Sequence, residues 1–380
     1  MSSTAPAPAA APAPPARGPQ APPRLAFLLP GQGAQRPGMA LGLYGVEESF
    51  TAAVNEVLDL YGPEGDRIRG DWASEHPAVP LDHVSRAQPL LFALDYALGR
   101  MLLAWGARPA VLLGHSAGEA AAAVLAGVMT LPDAVALLAE RVELIADAPP
   151  GGMLAVAASE AEVAPYLTDE VVVGAVNAPA QLLLAGPEPQ LTAVAGALTA
   201  DGVVCARARA THGFHSPSMD DACRRHLLSV AAVPLRPPAI TVLSGYTAAE
   251  LTADQATDPE FWAGQPARQV RFGPALDRLL AAGPCHLVET GPGQSLSALA
   301  RRHPGVTRGG STVVSLLDAR ARGPHRDRAA LLRAAEHLAA LGHLSDPDAV
   351  ARLRAALGTE AGASTAVRPR FETPARRSAP

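Results

Sequence analysis

A serine stands in a G-x-S-x-G sequence between a short apolar run and an alanine-rich run, and this junction constrains the fold more than any other feature of the chain. The apolar run is 110–113, the sequence GHSAGE is 114–119, and the alanine-rich run is 120–126. A buried strand, a tight turn and a helix in that order form a nucleophile elbow, in which small glycines let the backbone bend and expose the serine hydroxyl. The pattern predicts an α/β fold in which Ser116 is a nucleophile for acyl transfer or hydrolysis.

Apolar strands alternate with amphipathic helices along most of the chain, which favours an α/β layer structure. Spacing of the apolar residues predicts strands at 25–29, 110–113, 240–243 and 286–289, and helices at 90–105, 132–145 and 275–282. The region 152–209 differs, because its strands are short and close together. The strand-like runs are 153–157, 171–176, 182–184 and 203–208, with helical stretches at 160–167 and 189–198. This order predicts a small β-α-β-β-α-β insertion.

Composition excludes several classes of protein. The 380 residues are 48% hydrophobic with a net charge of −5, and no basic run indicates nucleic-acid binding. Three cysteines lack the spacing of metal ligands, so we expect free thiols in a reducing compartment and no metal. With neither a signal-peptide pattern nor an apolar run of about 18 residues, we expect a cytoplasmic protein that does not enter membranes. The Ala/Pro-rich segment 1–23 and the stretch from about 358 to 380 are predicted to be disordered.

Two further stretches supply the groups that an activated serine needs. The sequence THGFHSP at 211–217 places His212 and His215 in a loop after a strand, and a histidine is the expected base because its pKa lies near working pH. His115 adjoins the serine, but successive residues of a sharp turn point apart, so we expect it to shape the pocket. The turn PGQGAQ at 30–35 lacks the third glycine of a nucleotide site and predicts an oxyanion donor instead.

Seven segments in the same order resemble the malonyl-CoA:acyl-carrier-protein acyltransferase family, including the acyltransferases of polyketide synthases. The resemblance covers roughly residues 24–341. The segments are PGQGAQ at 30–35, AQPLLFALDYAL at 87–98, GHSAGE at 114–119, GGMLAV at 151–156, NAPAQLLLAG at 177–186, HGFHSPSMD at 212–220 and ETGPGQSL at 289–296.

The resemblance implies an α/β fold with two subdomains. A hydrolase-like large subdomain with a parallel sheet is expected at 24–150 and 213–342. A ferredoxin-like small subdomain interrupts it at 151–212, which agrees with the insertion inferred from the residues. A C-terminal helix and flexible tail are expected at 343–380.

The resemblance also implies roles for the residues of the site. Ser116 is acylated by an acyl-CoA and then deacylated by the phosphopantetheine thiol of a carrier protein. His215 is the general base, and the backbone N–H groups of Gln32 and Ala117 form the oxyanion hole. Gln265, in a loop that departs from the family pattern, orients the catalytic histidine through its main-chain carbonyl.

Selection of the acyl group is expected to depend on Arg141, which lies 25 positions after the serine (141 − 116). The family has a carboxylate-binding arginine at this spacing, and a planar guanidinium grips a malonyl carboxylate through two parallel hydrogen bonds. Without the resemblance, a surface arginine paired with Glu140 or Glu143 is the alternative. The sequence HGFH at 212–215 resembles the HAFH of malonyl-selective members, which implies that Phe214 fills the space of a branched acyl chain and favours malonyl. Gly213 and Ala117 are smaller than the residues usual in the family, which implies room for a larger dicarboxylic group.

We therefore expect an acyltransferase of polyketide or fatty acid biosynthesis, with acyl-CoA as a substrate and no bound cofactor. No ketosynthase or carrier segment is recognisable, so we expect a discrete monomer that serves a polyketide synthase in trans. Three alternatives stay open. They are an acyl hydrolase that clears stalled carrier proteins, a carrier-to-carrier transferase of a bulkier acyl group, and a catalytically silent docking protein.

Overall fold

A computed structural model describes residues 23–319 and 324–358 of the chain. The predicted disordered segment, apart from residue 23, and the predicted tail beyond 358 lie outside these residues. The strands of the described part are β1 Arg24–Leu29, β2 Val111–Gly114, β3 Gly151–Val156, β4 Val172–Ala178, β5 Gln181–Pro187, β6 Cys205–Arg207, β7 Thr241–Ser244, β8 Ala249–Glu250, β9 Cys285–Glu289 and β10 Thr312–Ser315.

The helices occupy most of the segments between these strands. They are α1 Glu48–Leu60, α2 Pro63–Ala73, α3 Val84–Ala104, α4 Gly118–Leu125, α5 Leu131–Ala146, α6 Glu160–Val163, α7 Gln190–Ala200, α8 Asp220–Ala231, α9 Ala253–Ala256, α10 Pro259–Ala263, α11 Phe272–Ala281, α12 Ser295–Arg302, α13 Pro304–Thr307, α14 Pro324–Ala340 and α15 Ala349–Gly358.

The larger sheet has the strand order β10-β9-β1-β2-β7-β8, and every pair is parallel except β7 with the short β8. Alternate residues of the central strand β1 enter different apolar clusters. Phe27 faces a cluster that includes residues of α1, α3, α4 and α5, whereas Leu28 faces a cluster that includes residues of α11 and α12. A strand that is buried on both faces reads as a continuous apolar run, as 25–29 does. The predicted α/β class and parallel sheet are confirmed.

The smaller sheet is antiparallel with the order β4-β5-β3-β6. Its elements follow each other as β3, α6, β4, β5, α7 and β6, which is the predicted ferredoxin-like arrangement. The predicted helix 160–167 is shorter than expected, because α6 passes into a 3₁₀ turn, Ala164–Tyr166. Pro165 explains this ending, since proline lacks the N–H that an α-helix interior requires.

Backbone hydrogen bonds join the edge strand β4 of the smaller sheet to the segment that precedes α11. A parallel bridge pairs Ala175 of β4 with Val270, which lies just before α11. The Val176 N–H donates to the Val270 carbonyl at 2.8 Å, and the Val270 N–H donates to the Gly174 carbonyl at 2.8 Å. The segment 268–270 is thus hydrogen-bonded to the small sheet.

Candidate active site

Ser116 lies in a strained turn between β2 and α4. Its φ of +53° is in the left-handed region, which L-residues other than glycine rarely adopt. The flanking glycines are required by close packing. A Cβ at Gly114 would lie 2.3 Å from the Glu119 nitrogen, and a Cβ at Gly118 would lie 2.1 Å from the Leu29 carbonyl oxygen. The predicted strand, elbow and helix are therefore present.

Ser116 and His215 form a hydrogen-bonded pair although they are 99 positions apart in the chain. The Ser116 hydroxyl lies 2.7 Å from His215 Nε2. His215 also has a left-handed backbone, with φ of +63°, and its N–H donates to the Pro266 carbonyl at 2.6 Å. A nucleophile within hydrogen-bond distance of an imidazole is the geometry that general-base activation needs.

Two main-chain carbonyls fix the imidazole of His215. Nδ1 lies 2.9 Å from the Arg268 carbonyl oxygen and 3.3 Å from that of Gln265. Because carbonyls only accept hydrogen bonds, Nδ1 carries the proton and Nε2 is left to accept from Ser116. The Gln265 carbonyl lies where the resemblance implies, but the shorter contact comes from Arg268, which the sequence analysis did not identify.

The His215 imidazole is held in its neutral form. Burial lowers its pKa from 6.5 to about 4, and the neighbouring His115 and the Arg141 guanidinium add to this effect. Hydrogen bonds to the Arg268 and Gln265 carbonyls act in the opposite direction. The ring is therefore ready to accept a proton at neutral pH.

The turn after β1 lies directly against the elbow. A Cβ at Gly31 would lie 2.4 Å from the His115 carbonyl oxygen and 3.4 Å from the Ala117 nitrogen. The N–H groups of Gln32 and Ala117 donate no hydrogen bond within the described residues. Two unused, preorganised N–H donors beside a nucleophile are the arrangement that stabilises an oxyanion.

Arg141 is a partly exposed residue whose guanidinium Nε is buried, and Gln88 is its one hydrogen-bond partner among the described residues. Its Nη2 donates to Gln88 Oε1 at 3.3 Å, while its buried Nε has no partner in the part of the chain that the structure describes. Burial lowers the pKa of the guanidinium. Gln88 in turn donates to Gln32 Oε1 at 3.4 Å. The alternative pairing with Glu140 is not formed, because that carboxylate bonds to His226 at 2.9 Å and Ser229 at 2.8 Å.

The other predicted pocket residues have different surroundings. Phe214 is buried, with its ring centroid 6.5 Å from that of His215. His115 contacts Asn177 instead of the catalytic pair, with 2.8 Å between Nε2 and Oδ1. The interpretation of Gly213 as extra acyl space is wrong. A Cβ there would lie 2.9 Å from the carbonyl oxygen of Gly186, so the missing methyl accommodates β5.

Residues after β7 complete the site and were missed by the sequence analysis. Glu119 accepts from Ser244 Oγ at 2.8 Å and from the Gly245 N–H at 2.7 Å, and burial raises the pKa of its carboxyl to about 8. The Tyr246 ring centroid lies 6.0 Å from that of His215. The strand predicted at 240–243 could have indicated these residues, because the carboxyl ends of parallel strands meet at one edge of a sheet and Ser116 follows another such strand.

Membrane spans and metal clusters are both absent from residues 23–319 and 324–358. No helix there is both long enough and apolar enough to pass through a bilayer. Nor does this part of the chain contain a group of three or more His, Cys, Asp or Glu side chains arranged to hold a metal ion.

Comparison with known proteins identifies relatives among polyketide synthases. The chain is 38% identical over 281 residues to one subunit of the phenolphthiocerol/phthiocerol polyketide synthase of Mycobacterium tuberculosis, covering 74% of this chain and 19% of that protein. It is 37% identical over 285 residues to the spectinabilin polyketide synthase system protein NorB of Streptomyces orinoci, covering 73% and 13%. The chain thus spans a fifth or less of the length of these relatives.

A solved structure and a family model agree with these relatives. The acyltransferase domain from the second module of the salinomycin polyketide synthase superposes with a TM-score of 0.78 at 34% identity, covering 90% of this chain and 78% of that one. A model of the acyl transferase domain matches residues 26–315. The family implied by the seven sequence segments is therefore confirmed, and the chain belongs to the acyl transferase domain family, whose members are acyltransferases.

Proposed function

We propose that the chain transfers a malonyl or related dicarboxylic acyl group from CoA to the phosphopantetheine thiol of an acyl carrier protein, through an ester on Ser116. The observation that carries this proposal is the Arg141 guanidinium, which lies close enough to His215 to lower its pKa and has only the neutral Gln88 as a partner among the described residues. A buried charge normally has an opposite charge beside it, so its surroundings favour an anionic ligand.

The first half-reaction forms the ester. Ser116 Oγ attacks the thioester carbonyl carbon while its proton passes to His215 Nε2. The negative charge that develops on the carbonyl oxygen is stabilised by the N–H groups of Gln32 and Ala117. The carbon–sulfur bond then breaks, and His215 returns the proton to the departing CoA thiolate.

The second half-reaction reverses these roles with a new thiol. The carrier's phosphopantetheine thiol gives its proton to His215 Nε2 as its sulfur attacks the ester carbonyl. The bond to Ser116 Oγ breaks, and the proton on His215 restores the hydroxyl. Because His215 is neutral at the start of each half-reaction, one residue serves both.

Arg141 supplies the selectivity for a dicarboxylic group. A free carboxylate accepts two charge-assisted hydrogen bonds from the guanidinium, which an acetyl or fatty acyl group cannot accept. A monocarboxylic group therefore leaves the cation unpaired, and that arrangement is disfavoured. The same argument disfavours the editing hydrolase, which handles acetyl and longer monocarboxylic groups.

The relatives, which are polyketide synthases, support a place for this reaction in biosynthesis. The protein acts in polyketide or fatty acid biosynthesis, with acyl-CoA and a phosphopantetheinylated carrier protein as its partners. Action in trans, a monomeric state, the absence of a bound cofactor and a cytoplasmic location stay predictions from the sequence.

Intact-mass analysis tests the proposal. The protein is incubated with malonyl-CoA or acetyl-CoA and then with a phosphopantetheinylated carrier protein or buffer. We expect a malonyl adduct that moves to the carrier faster than it is lost to water. Ser116→Ala should form no adduct, whereas the exposed Ser345→Ala should behave like the unchanged protein. An adduct on the Ser116→Ala variant, or faster loss to water than to the carrier, would falsify the proposal.

A further inference from the structure

Tyr246 places a phenol hydroxyl beside the catalytic pair, and the mechanism above gives it no task. The residue is 8% exposed, and its ring centroid lies 6.0 Å from the centroid of His215. The Ser116 side chain and the Arg141 guanidinium both lie close enough to Tyr246 to lower the pKa of its phenol. The phenol therefore lies near both the nucleophile and the cation that is proposed to bind the acyl carboxylate.

The backbone around Tyr246 is held in place from several sides. Its N–H donates to Ser244 Oγ at 3.1 Å, and that hydroxyl donates to Glu119 at 2.8 Å. The preceding Gly245 approaches β2 so closely that a Cβ would lie 2.6 Å from the Gly114 carbonyl oxygen. Packing of this kind fixes the position of the phenol relative to the elbow. A residue that determines substrate specificity needs such a fixed position.

The Tyr246 phenol is a permanent hydrogen-bond donor. Burial raises the pKa of Tyr246, so the proton stays on the oxygen at neutral pH. Once Ser116 is esterified, its Oγ has no proton to donate and is a weak acceptor. The phenol proton then needs another acceptor on the Ser116–Arg141 side.

We propose that Tyr246 determines specificity by donating a hydrogen bond to the free carboxylate of the acyl group, alongside the bonds from Arg141. This inference rests on the proposed function. Because the phenol adjoins Ser116, it reaches a carboxylate that lies only one carbon from the ester carbonyl, as in the malonyl class. A longer dicarboxylic chain, such as succinyl, carries its carboxylate further from Ser116.

The chemistry predicts a selective loss when the hydroxyl is removed. A hydrogen bond to a charged acceptor contributes more than one between neutral groups. In Tyr246→Phe, we expect the ratio of the malonyl to the acetyl rate of acyl-enzyme formation to fall about 10-fold, because only the malonyl rate decreases. The acetyl rate should stay within about twofold, because no acetyl atom accepts from the phenol.

The experiment measures acyl-enzyme formation by rapid quench and intact mass, with malonyl-CoA, acetyl-CoA and succinyl-CoA. Tyr166→Phe is the matched control, since it removes a phenol hydroxyl that bonds to Asp201 in the small sheet's subdomain. Tyr246→Phe should lose selectivity for malonyl over both other acyl groups, and Tyr166→Phe should not. Equal losses for malonyl and acetyl would place the role of Tyr246 at Ser116 and overturn the inference.

Failure of the inference is distinguishable from failure of the proposed function. An unchanged acyl ratio in Tyr246→Phe, together with a normal malonyl adduct on Ser116, overturns the role of Tyr246 alone. If the unchanged protein forms no malonyl adduct, the proposed function fails and the inference fails with it.

Discussion

Replacing Arg141 with alanine is the sharpest test of how the site selects its acyl group. The guanidinium has its Nε buried and is bonded only to Gln88 among the described residues, so nothing nearby replaces its charge. Two hydrogen bonds to a carboxylate contribute roughly 1.5–3 kcal/mol each, or about 3–6 kcal/mol together. Since about 1.4 kcal/mol is tenfold in rate, malonyl kcat/KM should fall about 10²- to 10⁴-fold.

Acetyl transfer should respond in the opposite direction or stay constant. An acetyl group leaves the cation unpaired, so removing the cation takes away a penalty. The assay is acyl-enzyme formation from malonyl-CoA and acetyl-CoA in competition, followed by intact mass. Arg225→Ala, on an exposed position of α8, is the matched control and should leave the ratio unchanged.

One outcome contradicts this reasoning directly. If Arg141→Ala forms a malonyl ester on Ser116 with the same malonyl-to-acetyl ratio as the unchanged protein, Arg141 does not bind the carboxylate. A parallel loss for both acyl groups at an unchanged melting temperature also refutes the assigned role, because it indicates damage to the catalytic pair.

Three further predictions concern the catalytic pair and the oxyanion turn. Because the pKa of His215 is about 4 rather than 6.5, kcat/KM for acylation should be constant between about pH 5 and 8 and should fall as pH drops through about 4. Stopped-flow measurements in which kcat/KM already falls with a pKa near 6.5 would refute this. The free energy of unfolding should also decrease as pH falls from 6.5 towards 4, because the unfolded chain then binds a proton at His215 that the folded protein does not. Thermal melting measures this decrease. Gly31→Ala places a Cβ 2.4 Å from the His115 carbonyl oxygen and should slow acylation about 10²-fold, because it displaces the Gln32 N–H donor. Gly196→Ala is the control and should stay active, since a Cβ there meets nothing within 4 Å. Equal acylation rates for the two variants would contradict the assignment of Gln32 to the oxyanion hole.

Features that depend on neighbours in the chain were predictable from the sequence. The elbow at Ser116 follows from an apolar run, two glycines and an alanine-rich run, all within a short stretch. The two sheets followed from strand length and spacing. The loop 211–217 was expected from its residues to supply the base, but the choice of His215 over His212 came only from the resemblance, because no local pattern joins either histidine to Ser116.

Features that depend on how distant segments pack were missed or misinterpreted. The nearest carbonyl to His215 Nδ1 belongs to Arg268, and any residue type supplies a carbonyl, so composition carries no signal for it. Tyr246 reaches the site because Gly245 approaches β2, a contact that no spacing rule reveals. Gly213 indicated a roomier pocket, but the backbone of Gly186 occupies that direction.

The bridge between Ala175 and Val270 has a consequence for the catalytic pair. The strand that carries the bridge belongs to the small sheet, whereas the Arg268 carbonyl that orients the imidazole lies two residues before Val270. Because Val270 is hydrogen-bonded to β4, a shift of the small sheet would also move the Arg268 carbonyl that holds the imidazole. We therefore expect the position of the small sheet and the alignment of the Ser116–His215 pair to be coupled.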